Sequence, residues 1–105
     1  MELDSIELHD AVLKRMDVDY MNNTAVINIE FYQDTNAGVR KAALITFANV
    51  ESVSKICNLE RMQKNARAGN INYWIPTEAR GTTYIYLVDG CIAITAQAVR
   101  FEIAT

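Results

Sequence analysis

Two alternating apolar runs, TYIYLV (83–88) and CIAITA (91–96), flank Asp89-Gly90, and this pattern limits the possible folds more than any other in the chain. Asp-Gly between runs of period two signals a two-residue hairpin loop, because the favoured turns need positive φ at their centre. Such a loop pairs Val88 with Cys91, Leu87 with Ile92, Tyr86 with Ala93 and Ile85 with Ile94. Ile85, Leu87, Ile92 and Ile94 then form one aliphatic face, the expected core. Tyr84, Tyr86, Val88, Cys91, Ala93 and Thr95 form the other. Beyond this hairpin the parity slips. Even positions are apolar through Ala98, whereas Val99, Phe101 and Ile103 are odd. A strand makes that exchange through a bulge, a bend or a move between layers, expected here around Ala96 to Ala98.

Earlier segments read the same way. AVLKRMDVDY (11–20) alternates, with Val12, Met16 and Val18 on one parity and Arg15, Asp17 and Asp19 on the wetter one. MNNT (21–24) supplies a turn, and AVINIEFY (25–32) points Ala25, Ile27, Ile29 and Phe31 inward. VRKAALITFA (39–48) is apolar on both parities after its charged start, which suits a central strand. From Asn49 the apolar positions recur by threes and fours, at Val50, Val53, Ile56 or Cys57, Leu59, Met62 and Ala66. This predicts a helical segment capped by Asn49 and stopped by Gly69-Asn70. Spacing by three drifts around a true helix, so a break is expected near Asn58, which would cap a second helix from Leu59. NINYWIP (70–76) returns to strand, with Ile71, Tyr73 and Ile75 on one parity, Trp74 on the other and Pro76 ending it.

The expected architecture is a single domain over residues 1–105. It is α+β and mostly antiparallel, with six or seven strands in a curled sheet or partly open barrel or sandwich. One bent helix or two short ones lie between strands 3 and 4. At this length a domain buries ~60–65% of its extended surface around one core. No apolar run approaches the ~20 residues that cross a bilayer. The acidic opening MELDSIELHD lacks the basic and apolar regions of a secretion signal, so a cytoplasmic protein without membrane partners is expected. Cys57 and Cys91, the only cysteines, then read as reduced, buried thiols.

Charge is uneven. Residues 1–34 hold eight acids and two bases, residues 35–80 three acids and seven bases, and the rest two acids and one base, which together give the net −3. An acidic strand region carrying Asp17 and Asp19, beside a basic helix carrying Arg61, Lys64 and Arg67, suits protein recognition and disfavours nucleic acid. Trp74, Tyr84 and Tyr86 are candidates to complete such a surface, since aromatic rings supply rigid contact area. A homodimer through the tyrosine face or an open edge strand is the structural alternative.

Catalytic motifs are weak. Cys91 as a nucleophile needs a base within reach, and His9, the only histidine, sits at the far end of the sequence. His9, Asp10 and Cys91 around one cleft define a second alternative, a small-ligand or metal-dependent activity. Four isolated glycines make no phosphate loop, and no cofactor is implied.

The succession of LHDA followed by Leu13, an alternating strand, ITFANV, and TYIYLVDGCIAITAQAVRF resembles small bacterial α+β proteins, some of which look like immunity proteins of polymorphic toxin systems. The likeness spans Leu8 to Phe101 and carries over no active-site residue. It implies a compact cytoplasmic protein that works by occluding a partner enzyme.

Overall fold

The computed structural model describes residues 2–34, 38–64 and 70–104, with Lys64 described through its backbone. Six strands form one antiparallel sheet: β1 (Val12–Asp19), β2 (Thr24–Tyr32), β3 (Arg40–Cys57), β4 (Ile71–Ile75), β5 (Gly81–Leu87) and β6 (Gly90–Ile103). Their order across the sheet is β1-β2-β3-β6-β5-β4, and a single α-helix, α1 (Leu59–Lys64), lies between β3 and β4. The two outer strands meet. Val12 bridges Asn70, the Asp10 N–H donates to the Ile71 carbonyl, and the Ile71 N–H donates to the Ala11 carbonyl. The sheet thus curls into a partly closed barrel around its core, the expected class of fold.

Strand β3 is much longer than expected. Asn49 to Cys57 continue the strand, which corrects the helix predicted from Asn49. The physical cause is a bulge. Register against β6 shifts between Val50, opposite Ala96, and Ser52, opposite Thr95. One inserted residue puts Val50 and Val53 on the same face although they are three apart, and so imitates a helical period. Asn49 itself has φ 52°, a left-handed conformation that asparagine tolerates better than most residues. The break near Asn58 is present: its Oδ1 accepts the Arg61 N–H at 2.9 Å and caps α1.

The parity slip in β6 has a partner in β3. Phe47 faces Val99 and Val50 faces Ala96, and both strands change face between these pairs without losing register. The bend expected at Ala96 to Ala98 is therefore shared by two strands, which pass together from one half of the barrel to the other. Two further bulges follow the same rule. Register shifts between Leu13 and Arg15 in β1, and between Ile71 and Tyr73 in β4.

The core is packed from both halves. Ile27, Ile29, Ile45 and Phe47 come from β2 and β3, and Ile71, Ile85, Ile92 and Ile94 from β4 to β6, all at most 1% exposed. The last hairpin turns at Val88-Asp89, with Leu87 opposite Gly90 and Tyr86 opposite Cys91, which corrects the predicted register. The turn moves back by one residue, so each partner moves by two and every side chain keeps its expected face. Gly90 enters the ladder instead. A Cβ there would press into the Ile56 carbonyl oxygen and lie 3.2 Å from the Cys57 Cα.

Candidate functional site

The outer face of β4, β5, β6 and the second half of β3 forms a flat aromatic surface. Bulging at Asn72 turns Ile71 and Trp74 inward and leaves Tyr73 and Ile75 outward, 49% and 48% exposed. Tyr73 lies opposite Tyr86, and Ile75 opposite Tyr84. The Tyr73 and Tyr86 rings stack with centroids 4.7 Å apart, and Tyr84 stacks on Tyr86 at 6.1 Å. The next rows are Cys91 opposite Tyr86 and Ile56 opposite Cys91. Partial burial, followed by its neighbours Tyr73, Cys91 and Tyr84, raises the Tyr86 hydroxyl above its ordinary pKa, so this face is neutral at neutral pH. It offers aromatic area with hydroxyl rims, a chemistry suited to contact rather than catalysis.

Trp74 does not belong to this surface. It is 8% exposed, its indole N–H donates to the Ile6 carbonyl at 2.9 Å, and its ring leans on Phe101 at 6.3 Å. The expectation of an exposed Trp74 is corrected by the β4 bulge, which reverses its parity. Tyr84 and Tyr86 are on the outer face as the alternation implied. Tyr73 and Ile75 join them because of the same bulge, a feature that alternation alone does not reveal.

The charged candidates are largely engaged locally. Asp19 closes the β1–β2 turn, accepting from the Met21 and Asn22 N–H groups and the Asn22 side-chain amide. The Asn22 amide, then the Asn22 backbone, holds its carboxyl below the ordinary carboxylate range. Asp17 pairs with Arg15 at 2.8 Å, and Arg61 pairs with Asp89 at 3.1 Å. The Lys64 side chain and Arg67 lie outside the described residues. Arg40 donates to the Asp10 carbonyl and sits over the Tyr32 ring at 4.7 Å.

His9, Asp10 and Cys91 do not converge. His9 Nδ1 lies 2.9 Å from the Asn72 carbonyl and Nε2 lies 3.6 Å from Asp10, at the seam where β4 meets the chain entering β1. That carbonyl first, then the Asp10 charge, raises the His9 pKa. A shallow hollow there is lined by Glu7, His9, Asp10, Tyr32 and Gly38, whereas Cys91 packs in the middle of the aromatic face. Among the described residues no group of three or more His, Cys, Asp or Glu side chains is placed to hold a metal ion. Both cysteines are free and half-buried. Cys57 lies opposite Gly90 and Cys91 opposite Ile56, so the two thiols point to opposite faces of the sheet.

The chain matches no protein-family model, no curated protein and no solved structure. No helix among the described residues is long and apolar enough to cross a membrane.

Proposed function

We propose that this chain is a non-enzymatic, cytoplasmic protein-binding module whose contact surface is the outer aromatic face of β4 and β5. The observation that carries the reading is the stacked row of Tyr73, Tyr86 and Tyr84, held rigidly on two paired strands and left open to solvent. Tyrosines on a fixed backbone give large contact area at small entropic cost, and they are over-represented among residues that dominate binding energy. Ile75 and Ile56, 48% and 72% exposed, extend the apolar area on either side.

An immunity-type inhibitor that covers a partner enzyme is the specific form of this reading. The acidic first third of the chain would steer it toward a basic partner. The test is affinity capture from the source organism's lysate with wild type and with Tyr73→Ala/Tyr84→Ala. One stoichiometric protein, retained by wild type and lost by the variant, is the expected result. Capture that is unaffected by the double substitution refutes the assignment of this face.

A further inference from the structure

Beyond the first half of β3 lies an unpaired lane. The β2 ladder ends at Ala25 opposite Phe47, and the Val50 N–H makes a last contact with the Asn23 carbonyl at 2.8 Å. From Ser52 to Cys57, β3 pairs with β6 on one side alone. The four most exposed large apolar side chains of the described residues flank this open edge. Tyr20 and Met21, 86% and 91% exposed, form the β1–β2 tip at its Val50 end, and Ile56 and Leu59, 72% and 71% exposed, stand at its other end.

We propose that this edge pairs with a second copy of the same chain, antiparallel about a two-fold axis at Val53. Three features of the edge are self-complementary in that register. Ser52 faces Ser54 of the second copy, two small residues that let the strands approach. Glu51 takes the ladder position opposite Lys55, so opposite charges meet twice across the axis. Lys55 has no ion-pair partner among the described residues, while Glu51 holds Arg80 at 2.9 Å and gains a second cation from the pairing. The ends also fit. Asn23 closes the lane at Val50, so strand pairing stops near Lys55 of the second copy. Its Ile56 and Leu59 then come against Tyr20 and Met21. Each apolar end covers the other because an antiparallel pair brings opposite ends together.

The product is a continuous eight-stranded sheet, β4-β5-β6-β3 from one copy joined to β3-β6-β5-β4 from the other. Its two tyrosine rows stay uncovered on the same outer surface, so the proposal goes beyond the partner-binding reading and does not compete with it. The rival outcome is physical as well: a bulge and a lysine are devices that block edge pairing.

Sedimentation over a concentration series from micromolar to millimolar decides between them. The account predicts a reversible dimer, weakened about tenfold or more by Lys55→Glu because two attractive pairs become repulsive. Unchanged circular dichroism and melting would show that this exposed substitution leaves the fold intact. Val53→Cys, placed on the axis, is expected to give a disulfide-linked dimer under mild oxidation that wild type does not give. A chain that stays monomeric throughout, a dimer indifferent to Lys55→Glu, or a Val53→Cys variant that does not cross-link overturns the proposal.

Discussion

Replacing Trp74 by phenylalanine tests the corrected position of the only tryptophan in the chain. Its indole N–H donates to the Ile6 carbonyl at 2.9 Å, and both residues are under 9% exposed. Removing the donor leaves that carbonyl short of a partner in the core, which costs about 1–3 kcal/mol. The smaller ring also leaves a void beside Phe101, adding about 1 kcal/mol. The total is about 2–4 kcal/mol. At ~4–8 °C per kcal/mol for a chain of this size, the Tm should fall by about 10–25 °C, measured by circular dichroism. Tyr84→Ala, on the exposed face, should move Tm by only a few degrees. Iodide should also quench Trp74 fluorescence poorly in the native protein. A Trp74→Phe variant that melts within about 3 °C of wild type, or free quenching of Trp74, would refute the buried placement and with it the β4 bulge.

Three other outcomes follow from the same geometry. Gly90→Ala drives a Cβ into the Ile56 carbonyl and should cost about 2 kcal/mol or more in denaturant unfolding, whereas Gly38→Ala, where a Cβ would meet nothing within 4 Å, carries only backbone strain from its φ of 69°. His9 gains proton affinity on folding, so the stability it contributes is complete below its ordinary pKa of 6.5 and is lost as pH rises through the higher folded value. The difference in Tm between wild type and His9→Ala should therefore shrink from about pH 6 to about pH 8, and NMR titration of the ring should read a pKa above 6.5. Thiol titration of the unfolded protein without reductant should find both Cys57 and Cys91 free, since their side chains lie on opposite faces.

Legibility in the sequence followed the bulges. Strand β2 has none, and its buried residues Ala25, Ile27, Ile29 and Phe31 are those that simple alternation selects. The β5–β6 hairpin was legible by face although its turn was misplaced, because moving the turn back by one residue leaves the parity of every pair unchanged. Where one residue is inserted, alternation fails in a characteristic way: Leu13 and Met16, Val50 and Val53, and Ile71 and Trp74 share inward faces at a spacing of three. That spacing made Val50 to Ile56 look helical and put Trp74 on the wrong face. Asn49 misled similarly, since the side chain that suits an N-cap also suits the left-handed corner it occupies. Half of the aromatic site, Tyr84 and Tyr86, was readable from the hairpin. Tyr73 and Ile75 reach it only through the β4 bulge, and no residue type at Asn72 announces a bulge.

Charge was the least informative signal. The acidic block and the basic segment suggested opposing patches, but Asp17 is paired with Arg15, Asp19 is spent on its turn, and Arg61 is held by Asp89. Exposed pairs of this kind contribute little, ~0–1 kcal/mol each, and their main effect is to neutralise the surfaces they occupy.

The central claim is that the tyrosine row is a contact surface, and hydroxyl-radical footprinting of the chain with its captured partner tests it most directly. Oxidation of Tyr73 and Tyr84 should fall sharply in the complex while that of Tyr20, on the far hairpin tip, stays as it is in the free protein. Protection of Tyr20 with Tyr73 and Tyr84 still oxidised would contradict the account and move the interface to the other end of the barrel.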